Sequence, residues 1–404
     1  MPARLITLLF ALTLAACASA PAERPAEADK PLVILVSIDG FHPSYLERGL
    51  TPTLSRLAAE GASGSMRPSF PTKTFPNHYT LVTGLTPDHH GIVNNTMEDP
   101  EIPGVTFKLS NKQAVGDRRW WDDAEPIWVT AENAGLTTAA MFWPGSEAAV
   151  RGVRPSHWLP YDEDMTGDQR VDQLLAWIDE VERPDLATLY FDIVDTAGHE
   201  HGPASDEVNA AIASVDASLS RLVAGLEAKG LGGATTLVIV SDHGMAATSM
   251  DRVIQMPPSA ANGAARVVFG GAITGIEPAP GREAEVEAEF LAPHDHWECW
   301  RKGELPERLA FGTHRRTPSI FCLAETGWEV LAPGWEPRAG GDHGFDNQAP
   351  EMRALFILNG PRVEAGARLP LFDNVDVQPL LAELLGIEVP KGDGDADVFA
   401  GVLD

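Results

Sequence analysis

The sequence predicts an α/β fold: a central, mostly parallel sheet flanked by helices, with a small α+β insertion late in the chain. Three observations carry that expectation. Short apolar runs bounded by turn residues (Leu32–Ile38, Leu189–Val194, Leu237–Val240) read as strands buried on both faces. Segments with helical spacing alternate with them, as layered α/β folds require. Finally, the runs stop at chemistry: Asp39-Gly40 after the first, Asp195 with Gly198-His199 after the second, Ser241-Asp242-His243-Gly244 after the third. A loop-like Gly340-Gly341-Asp342-His343-Gly344 comes later. Sites in such sheets lie beyond the carboxyl ends of the strands, so separate stretches deliver carboxylates and imidazoles to one edge.

In chain order, Arg4 precedes the apolar run Leu5–Ala16, too short to span a bilayer and built like an export signal. Leu14-Ala15-Ala16-Cys17 resembles a bacterial lipobox, making residues 1–17 a signal peptide that ends at a lipidated Cys17. Ala18-Ser19-Ala20 offers a competing site for simple secretion. Residues 18–30, rich in Pro, Ala and Glu, read as a flexible tether, and residues 31–404 as a single domain. The expected location is the periplasm, with a lipid anchor in the outer membrane through Cys17.

Pro52–Glu60 has helical spacing and stops at Gly61; Glu125–Ala134, Gln169–Val181 and Ser205–Lys229 also read as helices. Thr137–Phe142, Ala187–Val194 and Thr235–Val240 read as strands. Between about residues 256 and 329 the rhythm breaks. Val267–Ile273, Glu283–Phe290, His294–Trp300 and Ile320–Leu323 look like the α+β insertion, which holds Cys299 and Cys322. In an exported chain these two cysteines are expected to pair, the alternative being two buried thiols. The main rhythm returns with Ala354–Leu358 and the helix Val375–Leu385.

The formal charge of −28 on 404 residues repels phosphate backbones and argues against a nucleic-acid duplex as partner. Small anions still bind where metal ions reverse the local field. Three Asp (Asp39, Asp195, Asp242) and three His (His199, His243, His343) make two sets of three ligands. That composition suits zinc, four-coordinate with one position open. Two zinc ions ~4 Å apart form a clamp for in-line displacement at phosphorus. A nucleophile candidate is Thr74, near the start of a helix with Pro76 in its first turn. An N-cap threonine is the alternative reading; near a metal and a helix dipole, its alkoxide becomes accessible.

Pro71–Asn77, Thr83–Pro87 and His90–Asn95, followed by Glu125–Ala131, Phe142–Ser146, Asp195–Pro203, Ser241–Gly244 and His343–Asn347, resemble the nucleotide pyrophosphatase/phosphodiesterase family of the alkaline phosphatase superfamily. The resemblance implies an alkaline-phosphatase-like sandwich with two zinc ions per subunit. Asp39, Thr74, Asp242 and His243 would surround one zinc, and Asp195, His199 and His343 the other. Thr74 would attack phosphorus to give a phosphothreonine, later released by water. Asn95 would donate to a phosphoryl oxygen, with help from a backbone N–H near Thr74. Phe75 and Tyr161 match the two rings that sandwich a base in nucleotide-hydrolysing relatives, whereas Thr96 stands where some relatives have a lysine.

The expected substrate is therefore a small nucleotide, cleaved at a phosphodiester or pyrophosphate bond. The alternatives are a choline-type or lysophospholipid phosphodiesterase on the same scaffold, and a non-enzymatic zinc-binding lipoprotein. A phosphomonoesterase would need added positive charge, for which Lys73 is the near candidate. His89, His90, His201, His294 and His296 read as surface or structural histidines, and His78 as an interior helix residue. Asp342 is placed as a partner of the ligands rather than a ligand, and Asp346 as a loop carboxylate. Trp120, Trp121 and Trp143 mark core or pocket walls.

Overall fold

The computed structural model describes residues 32–403. The expected signal peptide, the tether and Cys17 lie outside the described residues. The main sheet runs in the spatial order Ala367–Arg368, Ala62–Arg67, Ala354–Asn359, Thr235–Val240, Leu32–Ile38, Leu186–Phe191, Thr138–Met141, His157–Trp158. Ala354–Asn359 is antiparallel to both its neighbours; the other pairings along that path are parallel. Every residue of Leu32–Ile38 is buried, because helices cover both faces of the sheet.

Alternation along that central strand builds the layers. Leu32, Ile34, Val36 and Ile38 pack with Leu54 and Leu57 of Pro52–Glu60, Leu174 of Gly167–Ile178, and Ile212 and Leu219 of Asp206–Ala228. Val33 and Leu35 face the opposite core, with Leu81 of Thr74–Thr83, Trp128 of Ile127–Asn133 and Leu381 of Val377–Leu385. The helix ends follow their local chemistry. Ser205 caps Asp206–Ala228 through a bond from Val208 N–H, and Thr166 with Gln169 forms a reciprocal capping box. Buried Asp216 accepts the Thr53 and Leu54 N–H groups at 3.0 and 2.8 Å, tying the start of one helix to the flank of another.

Several expected boundaries move, the helix expected as Gln169–Val181 being Gly167–Ile178. The strand read as Ala187–Val194 ends at Phe191, and Ile193–His201 is a helix. The apolar run continues past the strand because Val194 is buried on the first helical turn, which sequence alternation alone cannot separate from a strand end. The segment Gly340–Asp342, read as a loop, pairs antiparallel with Ala246–Thr248. The strand Ala62–Arg67 had no apolar signature; it is held between Ala354–Asn359 and the short strands after residue 366.

The late insertion is a four-stranded antiparallel sheet, ordered Ala265–Phe269, Ile273–Pro278, Ile320–Ala324, Trp297–Arg301, with the helix Glu283–Phe290. Val267–Ile273, expected as one element, spans the end of the first strand, the turn at Gly270–Ala272 and the start of the second strand. Cys299 and Cys322 stand opposite each other on adjacent strands and form the disulfide.

His90 shows how a polar group is accommodated in this core. Its Nδ1 accepts the Ile92 N–H at 3.1 Å and its Nε2 lies 3.1 Å from the Pro76 carbonyl, a pattern that fits the neutral ring with its proton on Nε2. Burial pushes its pKa down to about 3. The unfolded chain protonates this ring below about pH 6.5 while the folded chain does not, so stability falls with acid between those values at about 1.4 kcal/mol per pH unit. Urea unfolding of wild type and His90→Gln from pH 7 to 4 is expected to show a shallower acid dependence in the variant; equal slopes would contradict it.

Candidate metal centre and catalytic cleft

Leu32–Ile38 lies between Thr235–Val240 and Leu186–Phe191, and the chain leaves their carboxyl ends toward different parts of the molecule. The crevice there collects the predicted residues. Asp39 follows the central strand directly, and Asp242 and His243 follow Ser241 at the end of a neighbour. Asp195 and His199 come instead from the helix Ile193–His201, one turn apart on one face. His343 arrives just after the short strand Gly340–Asp342. Gly40 makes the close approach possible: its φ is +69°, and a Cβ there would lie 3.0 Å from the Asp195 Cα.

Three groups of ligand atoms converge within 4.8 Å: Asp195 with His199 and His343, Asp39 with Asp195 and His243, and Asp39 with His78 and Asp242. Asp242 joins the second, its Oδ2 2.9 Å from His243 Nε2. Each of these histidines places its Nδ1 against a backbone carbonyl: His199 on Gly341 at 2.9 Å, His243 on Gly244 at 2.9 Å, His343 on Thr72 at 2.7 Å. The proton therefore sits on Nδ1, and the Nε2 lone pairs turn inward. His199 and His343 meet Nε2 to Nε2 at 3.1 Å. Asp39 Oδ1, Asp195 Oδ1 and Asp242 Oδ2 are buried without a hydrogen-bond partner. A site made of lone pairs and orphaned carboxylate oxygens lacks only positive charge, so the residues fit a divalent cation.

Thr74 is the first residue of the helix Thr74–Thr83, and Lys73 occupies the N-cap. The Thr74 hydroxyl is thus not spent on capping; Oγ1 lies 3.4 Å from His243 Nε2. Asn95 Oδ1 accepts the Phe75 N–H at 2.8 Å. That bond orients the Asn95 amide and commits the Phe75 N–H, the nearest candidate for the expected backbone donor. Phe75 and Tyr161 line the same cleft as Thr74, with Trp143, Tyr190, Lys112 and Glu147 among the other walls, around about 250 Å³.

Sequence reasoning missed several supports. Tyr190 donates its hydroxyl to Asp39 Oδ2 at 2.6 Å. His78, expected in the helix interior, is fully buried with Nδ1 2.8 Å from the Thr74 carbonyl and 3.4 Å from Asp242 Oδ2. Its i,i+4 spacing from Thr74 was the available signal. Asp342 accepts the Lys73 ammonium at 3.1 Å and its Oδ1 lies 4.0 Å from His199 Nδ1, the supporting place expected for it. Gly344 makes room for that lysine: a Cβ there would fall 2.4 Å from Lys73 Cε. Asp346 pairs with Arg308, while His89, His294 and His296 bind Asp393, Glu289 and Glu325 away from the centre.

An alkaline-phosphatase-like scaffold is what this sheet and its Asp/His edge define. The type I phosphodiesterase/nucleotide pyrophosphatase family model matches residues 33–346, and the chain belongs to that family. Bovine ectonucleotide pyrophosphatase/phosphodiesterase family member 3 is 35% identical over 389 residues, which cover 91% of this chain and 43% of that protein. An uncharacterized pyrophosphatase/phosphodiesterase of Schizosaccharomyces pombe is 34% identical, covering 90% of this chain and 78% of that protein. The chain thus spans less than half the length of the bovine relative. The structure of human ectonucleotide pyrophosphatase/phosphodiesterase 5 superposes with a TM-score of 0.88 at 32% identity, over 92% of this chain and 100% of that one. An inactive form of the murine counterpart, solved in complex with AMP, matches with the same TM-score at 30% identity, over 93% of this chain and 100% of that one.

Without metal, Asp39, Asp195 and His243 bind protons more tightly than the free side chains do. Burial, then the neighbouring Asp242 charge, pushes the Asp39 carboxyl well above the usual range, and burial raises Asp195 as well. At His243 burial opposes the charged form, but Asp242 outweighs it and raises the ring's pKa. Every such proton competes with a cation. Divalent metal added to chelator-treated protein is therefore expected to release protons, with affinity falling as pH drops. Calorimetric titration in two buffers of different ionisation enthalpy checks this; equal apparent enthalpies would contradict it.

Proposed function

We propose that this chain is a metal-dependent phosphodiesterase and nucleotide pyrophosphatase that cleaves small nucleotides through a phosphothreonine intermediate. The single observation that carries the reading is the placement of Thr74. A hydroxyl not spent on capping, at a helix N-terminus, lies beside the ligand cluster in a cleft walled by Phe75 and Tyr161. The metal is read as two zinc ions, one held by Asp39, Thr74, Asp242 and His243, the other by Asp195, His199 and His343. Bound there, they supply Lewis acidity that favours the threonine alkoxide and offsets charge on the phosphoryl oxygens.

Thr74 Oγ1 forms the bond to phosphorus as the bond to the leaving oxygen breaks, leaving the nucleoside phosphoryl group on the enzyme. Water then displaces Thr74 and frees a nucleoside monophosphate. Asn95, with its oxygen held by the Phe75 N–H, presents its NH₂ to a phosphoryl oxygen. The three imidazoles, anchored at Nδ1 by backbone carbonyls, would offer their Nε2 lone pairs to the metal. Lys73, the cation next to Thr74 in sequence, is committed to Asp342 and so is not free to hold a second phosphoryl charge, which supports a diester over a monoester substrate.

The localisation reading is of an exported enzyme, in which residues 31–404 form one catalytic unit with its insertion and Cys17 carries a periplasm-facing lipid anchor. Among the described residues no helix is long and apolar enough to cross a membrane.

Thr74→Ala is expected to lower turnover by more than ~1,000-fold, as loss of a nucleophile does, while metal content stays near wild type. Rate assays with elemental analysis check it, and retained turnover would remove the nucleophile assignment. Across bis-p-nitrophenyl phosphate, p-nitrophenyl phosphate, an ATP analogue and a choline phosphodiester, the expected order favours the nucleotide and the diester. Preference for the choline ester would shift the substrate class, and inertness toward all four with zinc restored would point to a binding protein.

A further inference from the structure

Arg170 belongs to the helix Gly167–Ile178 and does not line the cleft, yet its guanidinium reaches behind the cleft's aromatic wall. The residue is 2% exposed. Its Nη1 donates to Asp192 Oδ1 and to the Tyr190 carbonyl, each at 2.9 Å, and its Nε donates to the Met165 carbonyl at 2.9 Å. Asp192 passes the restraint on, because its other carboxylate oxygen accepts the Tyr161 hydroxyl. The guanidinium carbon lies 5.1 Å from the Phe142 ring centroid and 5.9 Å from that of Tyr161. Both fall within cation–π range, and burial strengthens such contacts. The Phe142 and Tyr161 rings meet edge to face at 5.3 Å, and Tyr161 stands 6.4 Å from Tyr190.

Two features make this more than core packing. Phe142, a cleft residue, holds a left-handed φ of 59°, which phenylalanine rarely adopts and which its surroundings must maintain. Asp192 lines the cleft beside the rings, and its charge is matched by Arg170 from behind. An unmatched carboxylate among aromatic rings would suit a quaternary ammonium group; a matched one leaves a wall suited to a neutral planar ring.

We propose that Arg170 is a positioning residue for substrate selection: through Asp192 it fixes the Tyr161 ring and cancels the carboxylate charge, so that the cleft receives a nucleobase in preference to a cationic headgroup. The inference rests on the nucleotide phosphodiesterase reading. It assigns the choice of substrate to a side chain that touches no substrate.

The test compares thymidine 5′-monophosphate p-nitrophenyl ester, bis-p-nitrophenyl phosphate and p-nitrophenylphosphocholine. In Arg170→Met, KM for the nucleotide ester is expected to rise roughly ten-fold, the loss of about one well-oriented contact. Turnover of bis-p-nitrophenyl phosphate, which lacks a base, stays within ~2-fold because the reacting atoms are untouched. The choline ester gains relative to the nucleotide ester. Arg170→Lys, which keeps the charge but not the fork, falls between. Tyr161→Phe raises the nucleotide KM to a similar extent, and combining it with Arg170→Met adds little, since both break one chain of contacts. Equal losses on all three substrates would reduce Arg170 to a structural role and overturn the proposal. If Arg170→Met does not fold, an unchanged nucleotide KM in folded Tyr161→Phe overturns it instead. A wild-type enzyme with no preference for the nucleotide ester over bis-p-nitrophenyl phosphate removes the underlying reading and this proposal together; a preference that survives Arg170→Met removes this proposal alone.

Discussion

Three backbone carbonyls, those of Thr72, Gly341 and Gly244, each face an imidazole Nδ1 and thereby turn three Nε2 lone pairs toward one small volume. Carboxylate oxygens of Asp39, Asp195 and Asp242 enter the same volume without partners. Electron-rich groups repel one another at this range, and burial removes the water that would otherwise screen them. The arrangement persists because the rest of the molecule holds it: a sheet buried on both faces fixes the strand ends, and the helices cannot rotate without breaking either core. Positive charge supplied to the centre turns this repulsion into binding, and that constraint organises the chemistry around it.

The supports are shared between elements far apart in sequence. Thr72 holds His343 through its carbonyl, while its hydroxyl meets the Phe345 carbonyl at 3.0 Å and accepts the Gly344 N–H at 2.9 Å. The segment before the Thr74 helix is therefore locked to the segment that brings His343. Lys73 and Asp342 add an ion pair across the same seam, little exposed on either side. Tyr190 and His78, whose rings meet edge to face at 5.2 Å, brace Asp39 and Asp242. The position of Thr74 relative to the ligands thus follows from a continuous network rather than from its own helix.

Much of this was legible in the chain. The buried strands announced themselves as continuous apolar runs, and the helix expected from Ser205 begins behind that cap; the one expected from Gln169 begins earlier, at Gly167 behind Thr166. Asp39, Asp242 and His243 stood out because each follows such a run, and His343 because it sits in a glycine-rich Asp-His stretch. What periodicity misread was Asp195: Ile193 and Val194 extend the apolar pattern of the preceding strand although they open a helix, so a strand end was expected where a first helical turn lies. Tyr190, Arg170 and Asp192 carried no signal, since a tyrosine in a buried strand and an arginine in an amphipathic helix have ordinary places to be. Their importance comes from partners distant in sequence.

The sequence by itself determined the layered α/β class, the family, and which side chains are candidates for the chemistry, because buried strands and ligand types leave marks at fixed local spacing. Only the tertiary structure decided how those side chains are aimed. The Nδ1 partners of His199 and His343, the commitment of Lys73 to Asp342 and of the Phe75 N–H to Asn95, and the matching of Asp192 by Arg170 all join residues from separate segments. Hydrogen-bond direction and charge compensation depend on distances of a few ångströms, which the folded chain sets and local pattern does not record.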